Sequence, residues 1–325
     1  MASLFGEIRA KLLKPFILEK TPELYLGAFG KHPGWNDHIE DIGLETEALL
    51  AVKQALYVQG VGGIIDGGDW DSLPEGESVQ DFGHVFAWFW GSDLIVGRLW
   101  SSTDGKGRSK YPMIVCAHLV NHSPESVISL LLTELEQMQK RCVAVKSSQE
   151  IISILDDSRS RMRQMVSNLP PPLAPSPDGW RNVLSQMGFA QADGRLFRII
   201  YCIQNQMAGY QKGQLPAGFA RLNAKALQYP LLPQQIRLPA DKDFAGTSFL
   251  LWRDFFSSTL DPETPLLLIH PDGNNWMDAI TGMPAKNQLF CLKASPAKIP
   301  FAHDVPYNIP EEFRSKVVAT FPRFF

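Results

Sequence analysis

Two short polar stretches hold most of the side chains in this sequence that could do chemistry. The first, Gly30-Lys31-His32-Pro33-Gly34-Trp35-Asn36-Asp37-His38, sets an ammonium, two imidazoles and a carboxylate directly after an apolar run, 24–30, that reads as a buried strand. The second, Ser102-Thr103-Asp104-Gly105-Lys106-Gly107-Arg108-Ser109-Lys110-Tyr111-Pro112, carries three cations and a carboxylate among glycines, and leads into the next strand. In α/β sheets binding groups gather on loops at strand ends, so both stretches are candidates for one end of a shared sheet.

The glycines, cations and hydroxyl of residues 105–109 suggest phosphate binding. A P-loop, however, needs GxxxxGK[ST] ahead of a helix, and here Tyr111-Pro112 opens a strand. The same residues equally suit a loop that holds its own shape: Asp104 can accept backbone amides or pair with Arg108, and the glycines permit positive φ. A metal site would draw on His32, Asp37 and His38, with His84 or His118, but there is no HExxH, and His118 and His122 straddle a predicted strand end. The acidic loop Asp66 to Asp71 misses the EF-hand pattern. No GxSxG follows a strand, and Ser101 and Ser102 have no histidine near them in sequence. These patterns favour a non-catalytic protein with no metal or cofactor. The competing reading is a small-ligand or phosphate-handling enzyme domain that uses the same loops, starting from His32, His38 and Lys106.

Composition sets the outer bounds. The chain has 325 residues, 45% hydrophobic and 20% charged, enough to bury a sizeable core in about two domains. Thirty-one Lys plus Arg against 34 Asp plus Glu leave a formal charge of −3, so no global field gathers nucleic acid. Cys116, Cys142, Cys202 and Cys291 stand far apart without a CxxC pair and read as reduced core thiols. No continuous apolar run is long enough to span a bilayer, and the start of the chain is broken by Glu7, Arg9 and Lys11; a cytoplasmic protein is expected.

Periodicity then places the elements. Residues 1–22 read as an amphipathic N-terminal helix. A helix over 44–59 stops at Gly60, Gly62 and Gly63; a surface loop covers 66–81; strands 84–90 and 94–100 form a hairpin; and a third strand covers 113–119. Alternation sends Trp88 and Trp90 to one face, as core. Helices over 124–139 and 147–166 complete a unit spanning 23–167. The proline-rich segment 168–177 cannot continue a helix and marks the domain boundary. Within 178–325 the pattern predicts a helix at 180–187, a strand at 196–203, an irregular span over 204–240, a helix at 248–260, strands at 265–269 and 288–294, and a last helix at 310–318. The first half's hairpin has no visible counterpart in the second, so no duplication is expected.

At the two polar stretches the sequence resembles the TagF family, accessory proteins associated with bacterial type VI secretion. The family's strand and GK-x-P-x-x-G-D-F loop is matched by Gly30 to His38, with Asn36 in place of the glycine and His38 in place of the aromatic residue. Its S-x-D-x-x-G-R pattern and following aromatic-Pro pair are matched by Ser102, Asp104, Gly107, Arg108, Tyr111 and Pro112, with one extra residue before Tyr111. The resemblance covers about residues 24–140 and reads as a divergent branch. It implies an α/β fold: a layered α/β/α sandwich with a mixed sheet in the N-terminal domain, followed here by a smaller α+β C-terminal domain. It also implies a regulatory protein that binds a forkhead-associated scaffold and restrains assembly of the secretion machine, near a Ser/Thr kinase and phosphatase pathway. Lys31, Pro33, Trp35, Asp37, Ser102, Asp104, Lys106, Gly107, Arg108, Lys110, Tyr111 and Pro112 are then the expected motif and partner-binding residues. Asp37 and Asp104 would hold the loops, while Lys106, Arg108 and Lys110 meet the partner.

Overall fold

The computed structural model of the protein describes residues 23–169, 179–189, 194–207, 209, 210, 212 and 231–321. The helix expected over 1–22 and nearly all of the proline-rich segment lie outside the described residues. In chain order the elements are β1 (Glu23–Gly30), α1 (Glu47–Gly67), β2 (Gly83–Trp90), β3 (Asp93–Ser101), β4 (Pro112–Val120), α2 (Pro124–Ala144) and α3 (Ser148–Ser167). They continue with α4 (Gly179–Gln186), α5 (Gly194–Gln206), β5 (Gln234–Pro239), α6 (Ala245–Thr259), β6 (Leu266–Pro271), β7 (Trp276–Thr281), α7 (Lys286–Leu289) and α8 (Glu311–Thr320).

The strands form one seven-stranded sheet in the order β1-β4-β3-β2-β6-β7-β5. The expected α/β architecture is found, but every strand pairing is antiparallel, where a mixed sheet was expected. The connections explain this: only residues 91–92 separate β2 from β3, and 272–275 separate β6 from β7, whereas parallel neighbours need crossovers of about a dozen residues or more. The β2–β6 pairing, with His84 to Phe89 against Pro271 to Leu266, puts strands from before and after segment 168–177 into a single sheet.

Helices cover both faces. On one, Val85, Ala87, Val96, Val115 and Ala117 pack with residues of α2, α3 and α6 such as Leu131, Leu155 and Trp252. On the other, Phe86, Trp88, Trp90, Ile95 and Leu267 pack with Leu49, Val52, Leu56 and Ile64 of α1 and with Leu289. Trp88 and Trp90 do share one face and are buried, their rings stacked at 6.4 Å. All four cysteines are buried and free.

α1 runs on through the glycines expected to stop it, as an α-helix to Val52, a π-helical stretch over Lys53–Gly62 and a last α turn over Gly63–Gly67. Gly60 serves close packing instead, since a Cβ there would lie 2.1 Å from Leu289. By length and hydropathy α1 alone among the described helices could cross a bilayer, yet 61% of its apolar window is buried inside the protein, as in a core helix.

The predicted strand at 196–203 is the helix α5. Its β-branched composition suggested a strand, but Leu196, Ile199, Ile200 and Ile203 recur at helical spacing and form the buried stripe. The predicted strand at 288–294 is α7 followed by a 3₁₀ turn, Phe290–Lys293. The partner of β6 is instead β7, reached through Asp272-Gly273-Asn274-Asn275, so the second half has a hairpin of its own. β5 lies inside the span expected to be irregular.

Gly97 faces Phe86 across the β2–β3 pair, and a Cβ there would come within 2.1–2.8 Å of three ring carbons. Gly97→Ala is expected to cost about 1–3 kcal/mol by overpacking. Urea denaturation should show a lower midpoint, partly restored in the double variant with Phe86→Leu. A wild-type midpoint for Gly97→Ala would mean the ring moves aside freely.

Candidate functional site

The two polar stretches meet at one end of the sheet because of strand register. β1 ends opposite the start of β4 (Gly30 with Met113), and β3 ends there too (Ser101 with Pro112). The Lys31 amide donates to the Pro112 carbonyl at 3.2 Å, and the Gly105 amide donates to the Trp35 carbonyl at 2.7 Å. This approach requires glycine at 105, where a Cβ would lie 2.9 Å from Asn36 Oδ1 and 3.1 Å from the Pro33 carbonyl oxygen. Gly107 turns the loop back with φ +80°, a conformation that disfavours other residues.

Asp104 is the centre. It is 1% exposed, and its carboxylate accepts from four donors: Lys31 Nζ at 2.6 Å, Arg108 Nε at 2.6 Å, and the amides of Lys106 at 2.9 Å and Arg108 at 3.0 Å. Loss of water by itself would raise the Asp104 pKa. The hydrogen bonds from Lys31, Arg108 and Lys106 outweigh that loss and hold the group well below the usual carboxylate range. Arg108 extends the network, donating from Nη2 to Asp37 Oδ1 and to the Asn36 carbonyl, both at 3.0 Å. Lys31, grouped by sequence with the surface cations, is buried at 3% exposure, with Asp37 Oδ1 3.7 Å from its Nζ.

A second layer is aromatic. His38 Nδ1 lies 2.8 Å from the Tyr57 hydroxyl, and the rings of His38, Tyr57 and Tyr111 pack with centroids 5.3–5.8 Å apart. Lys31 Nζ sits 5.8 Å from the Tyr111 centroid. Burial lowers the His38 pKa, aided by the nearby Lys31 charge. Burial also raises Tyr57, with Tyr111 and Asp37 adding to the effect, so its hydroxyl stays a neutral phenol. Tyr57 was not among the residues singled out from the sequence; its signal was only a tyrosine on the buried face of a helix that follows the first polar loop.

The remaining residues separate. Lys106, Ser109 and Lys110 are exposed, Lys110 lying 3.9 Å from Asp71. Arg108 keeps half of its side chain in solvent, while Pro33, Trp35, Ser102 and Tyr111 are half-buried and Pro112 is buried at the start of β4. The histidines do not converge. His32 Nε2 donates to the Cys142 carbonyl while its Nδ1 accepts from the Gly34 amide, His84 accepts from the Gly83 amide, and His118 lies beside Asp93 and Thr46 towards the far end of β4. Among the described residues no three His, Cys, Asp or Glu side chains form a set that could hold a metal ion. The backbone donors suited to cradling a phosphate, the amides of Lys106 and Arg108, are occupied by Asp104.

No family model matches the chain, and no curated protein matches it. Among solved structures it is similar to PA0076 from Pseudomonas aeruginosa PAO1, at 18% identity and a TM-score of 0.30, over 46% of this chain and 64% of that one. The chain thus matches less than two thirds of that protein's length.

The four donors on Asp104 make a pH prediction. Its pKa is lowered by folding, so the unfolded chain takes up a proton first as pH falls. The stabilisation is complete above the unfolded value of about 4 and is lost as pH drops towards the folded value. Urea midpoints measured from pH 6 down to pH 2.5 should fall in the wild type. Asp104→Asn should be less stable at pH 6 and fall less steeply below about pH 4. Parallel profiles would mean that other carboxylates carry the acid sensitivity.

Proposed function

We propose that the chain is a TagF-like, non-catalytic accessory protein of a bacterial type VI secretion system, acting in the cytoplasm by binding a forkhead-associated scaffold through the loops 30–38 and 102–112. The observation that carries this reading is the use of Asp104 and Lys31. The two groups best suited to chemistry are spent on one another and on the loop backbone, which leaves a braced surface with Lys106, Lys110 and half of Arg108 facing outward. A loop already fixed before it meets a partner loses little entropy on binding, and arginine beside aromatic rings is favoured at protein interfaces. The motif resemblance supplies the partner class and the link to a threonine-phosphorylation pathway.

The test is affinity capture with the full chain and a Lys106→Ala/Lys110→Ala variant. Both lysines are exposed, so the variant should melt within about 1–2 °C of the wild type. The wild type should recover a forkhead-associated protein and the variant at least tenfold less. Equal recovery by both would remove these lysines from the interface, and recovery of no secretion component by a folded wild type would overturn the reading.

A further inference from the structure

Among the described residues β1 and β5 are the end strands of the sheet, and each presents a row of backbone groups that no further strand takes up. The two edges are closed differently. β5 ends in Pro239, and the chain near Phe301 runs beside it, with the Ala302 amide donating to the Arg237 carbonyl at 2.9 Å. On β1 the residues turned away from β4 are Leu24, Leu26, Ala28 and Gly30. Backbone covers the last two: the Ile39 amide donates to the Gly30 carbonyl at 2.7 Å, and Ala28 and Ile42 exchange bonds of 2.9 and 3.2 Å. Side chains of α3 cover the first two. Arg159 Nη2 donates to the Leu26 carbonyl at 3.4 Å, and Arg163 Nε donates to the Leu24 carbonyl at 3.0 Å.

Matched spacings make this possible. Four residues of helix rise about 6 Å and two residues of strand about 6.7 Å, so donors at 159 and 163 meet alternate carbonyls of a strand running the opposite way. Arg159 is fixed further by Asp156, whose Oδ1 lies 2.7 Å from Nη1. Gly43 leaves room for it, since a Cβ there would lie 2.1 Å from the Leu26 oxygen and 2.7 Å from Arg159 Nη2. A guanidinium donates and cannot accept. It therefore fills the two carbonyls but cannot take the amides of Leu24 and Leu26, which a neighbouring strand would take as well. The edge is blocked rather than completed. Residues 24–30 carry no charge and no proline, a composition that pairs readily with another strand.

We propose that Arg159 and Arg163 are a guard that keeps the 23–27 edge of β1 from pairing with the same edge of a second copy of this chain. The proposal is independent of the regulatory reading. The edge is self-complementary: turned about a two-fold axis at Tyr25, it sets Leu24 of one copy opposite Leu26 of the other, each giving an amide and taking a carbonyl. The two guanidinium groups stand where that second strand would lie, and two copies approaching along this edge bring like charges together.

Sedimentation velocity of the full chain and of Arg159→Ala/Arg163→Ala over a wide concentration range, combined with amide hydrogen exchange, tests this. The wild type should keep one mass throughout, while the double variant should shift to twice that mass as concentration rises. In the shifted sample the Leu24 and Leu26 amides should exchange roughly tenfold or more slowly than in the wild type. Arg141→Ala removes an arginine of α2 that pairs with Asp157, and as a control for lost charge it should keep the wild-type mass. A folded double variant of wild-type mass, with nothing but a lower melting temperature, would show that the arginines merely tie α3 to the sheet, and would overturn the proposal. Self-association that leaves exchange at Leu24 and Leu26 unchanged, or that Arg141→Ala shares, would overturn it too. If the double variant does not melt cooperatively, Arg163→Ala, which keeps the less exposed Arg159, is judged by the same mass and exchange readouts.

Discussion

The pairing of β2 with β6 is the constraint on which the rest of the molecule hangs. It makes one sheet out of strands from both halves of the chain and turns β2 and β6 into interior strands covered on both faces. An interior strand cannot alternate apolar with polar, so β2 alternates large with small: Phe86, Trp88 and Trp90 face α1, while Val85 and Ala87 face α2 and α6. Gly97 on β3 is the space that Phe86 fills. One buried ion pair admitted to this sheet answers itself across two strands. Arg237 and Asp278 lie directly opposite one another on β5 and β7, both buried, with Nη2 2.8 Å from Oδ2. Burial pushes the Asp278 carboxyl up against the pull of Arg237, so each side chain would be costly to leave without the other.

The same sheet makes the loop site by ending three strands together. Once Gly30, Ser101 and Pro112 lie side by side, the two polar stretches must share a small volume, and their unpaired amides and charges need a common answer. Asp104 gives it, acting as an internal anion in the nest formed by its own loop and holding the Lys31 ammonium from the neighbouring one. A carboxylate with four donors and a depressed pKa is a poor proton acceptor, so the cluster braces the loops more readily than it catalyses. His38 fits this account. It packs as an aromatic residue would, edge-on to Tyr57 and Tyr111.

Much of this was legible in the sequence where local chemistry decides. The β2–β3 hairpin, the strands on either side of the polar loops, and the capacity of Asp104 to take amides or Arg108 all follow from residues close in the chain. Contacts between distant residues were not legible. Nothing near Lys31 announces that its partner lies 73 positions on, nor does anything near Tyr57 announce its contact with His38 through the turn of a helix. α5 shows the limit of composition: Phe, Ile, Tyr and Cys in sequence read as strand, yet burial follows the 3.6-residue stripe and α5 packs on β5. β7 shows the reverse case. Its Pro-Asp-Gly-Asn-Asn turn was a hairpin signal, but Trp276–Thr281 carries an aspartate in mid-strand that is intelligible only opposite Arg237.

Two groups of orphan amides at the same end of the sheet are handled in opposite ways. In the loop after β3 the donors of Lys106 and Arg108 are filled by a carboxylate of the same chain, two and four residues away, so any external anion would have to displace Asp104 and strand Lys31. At the start of α6 the residue in the equivalent capping position is phenylalanine, and the nearest carboxylate, Asp241, takes the two amides before the helix rather than those within it. Replacing a capping oxygen by an apolar side chain ordinarily costs about 1 kcal/mol. Such a loss is sustained by a helix whose other face is as deeply buried as Phe249, Trp252, Phe255 and Phe256.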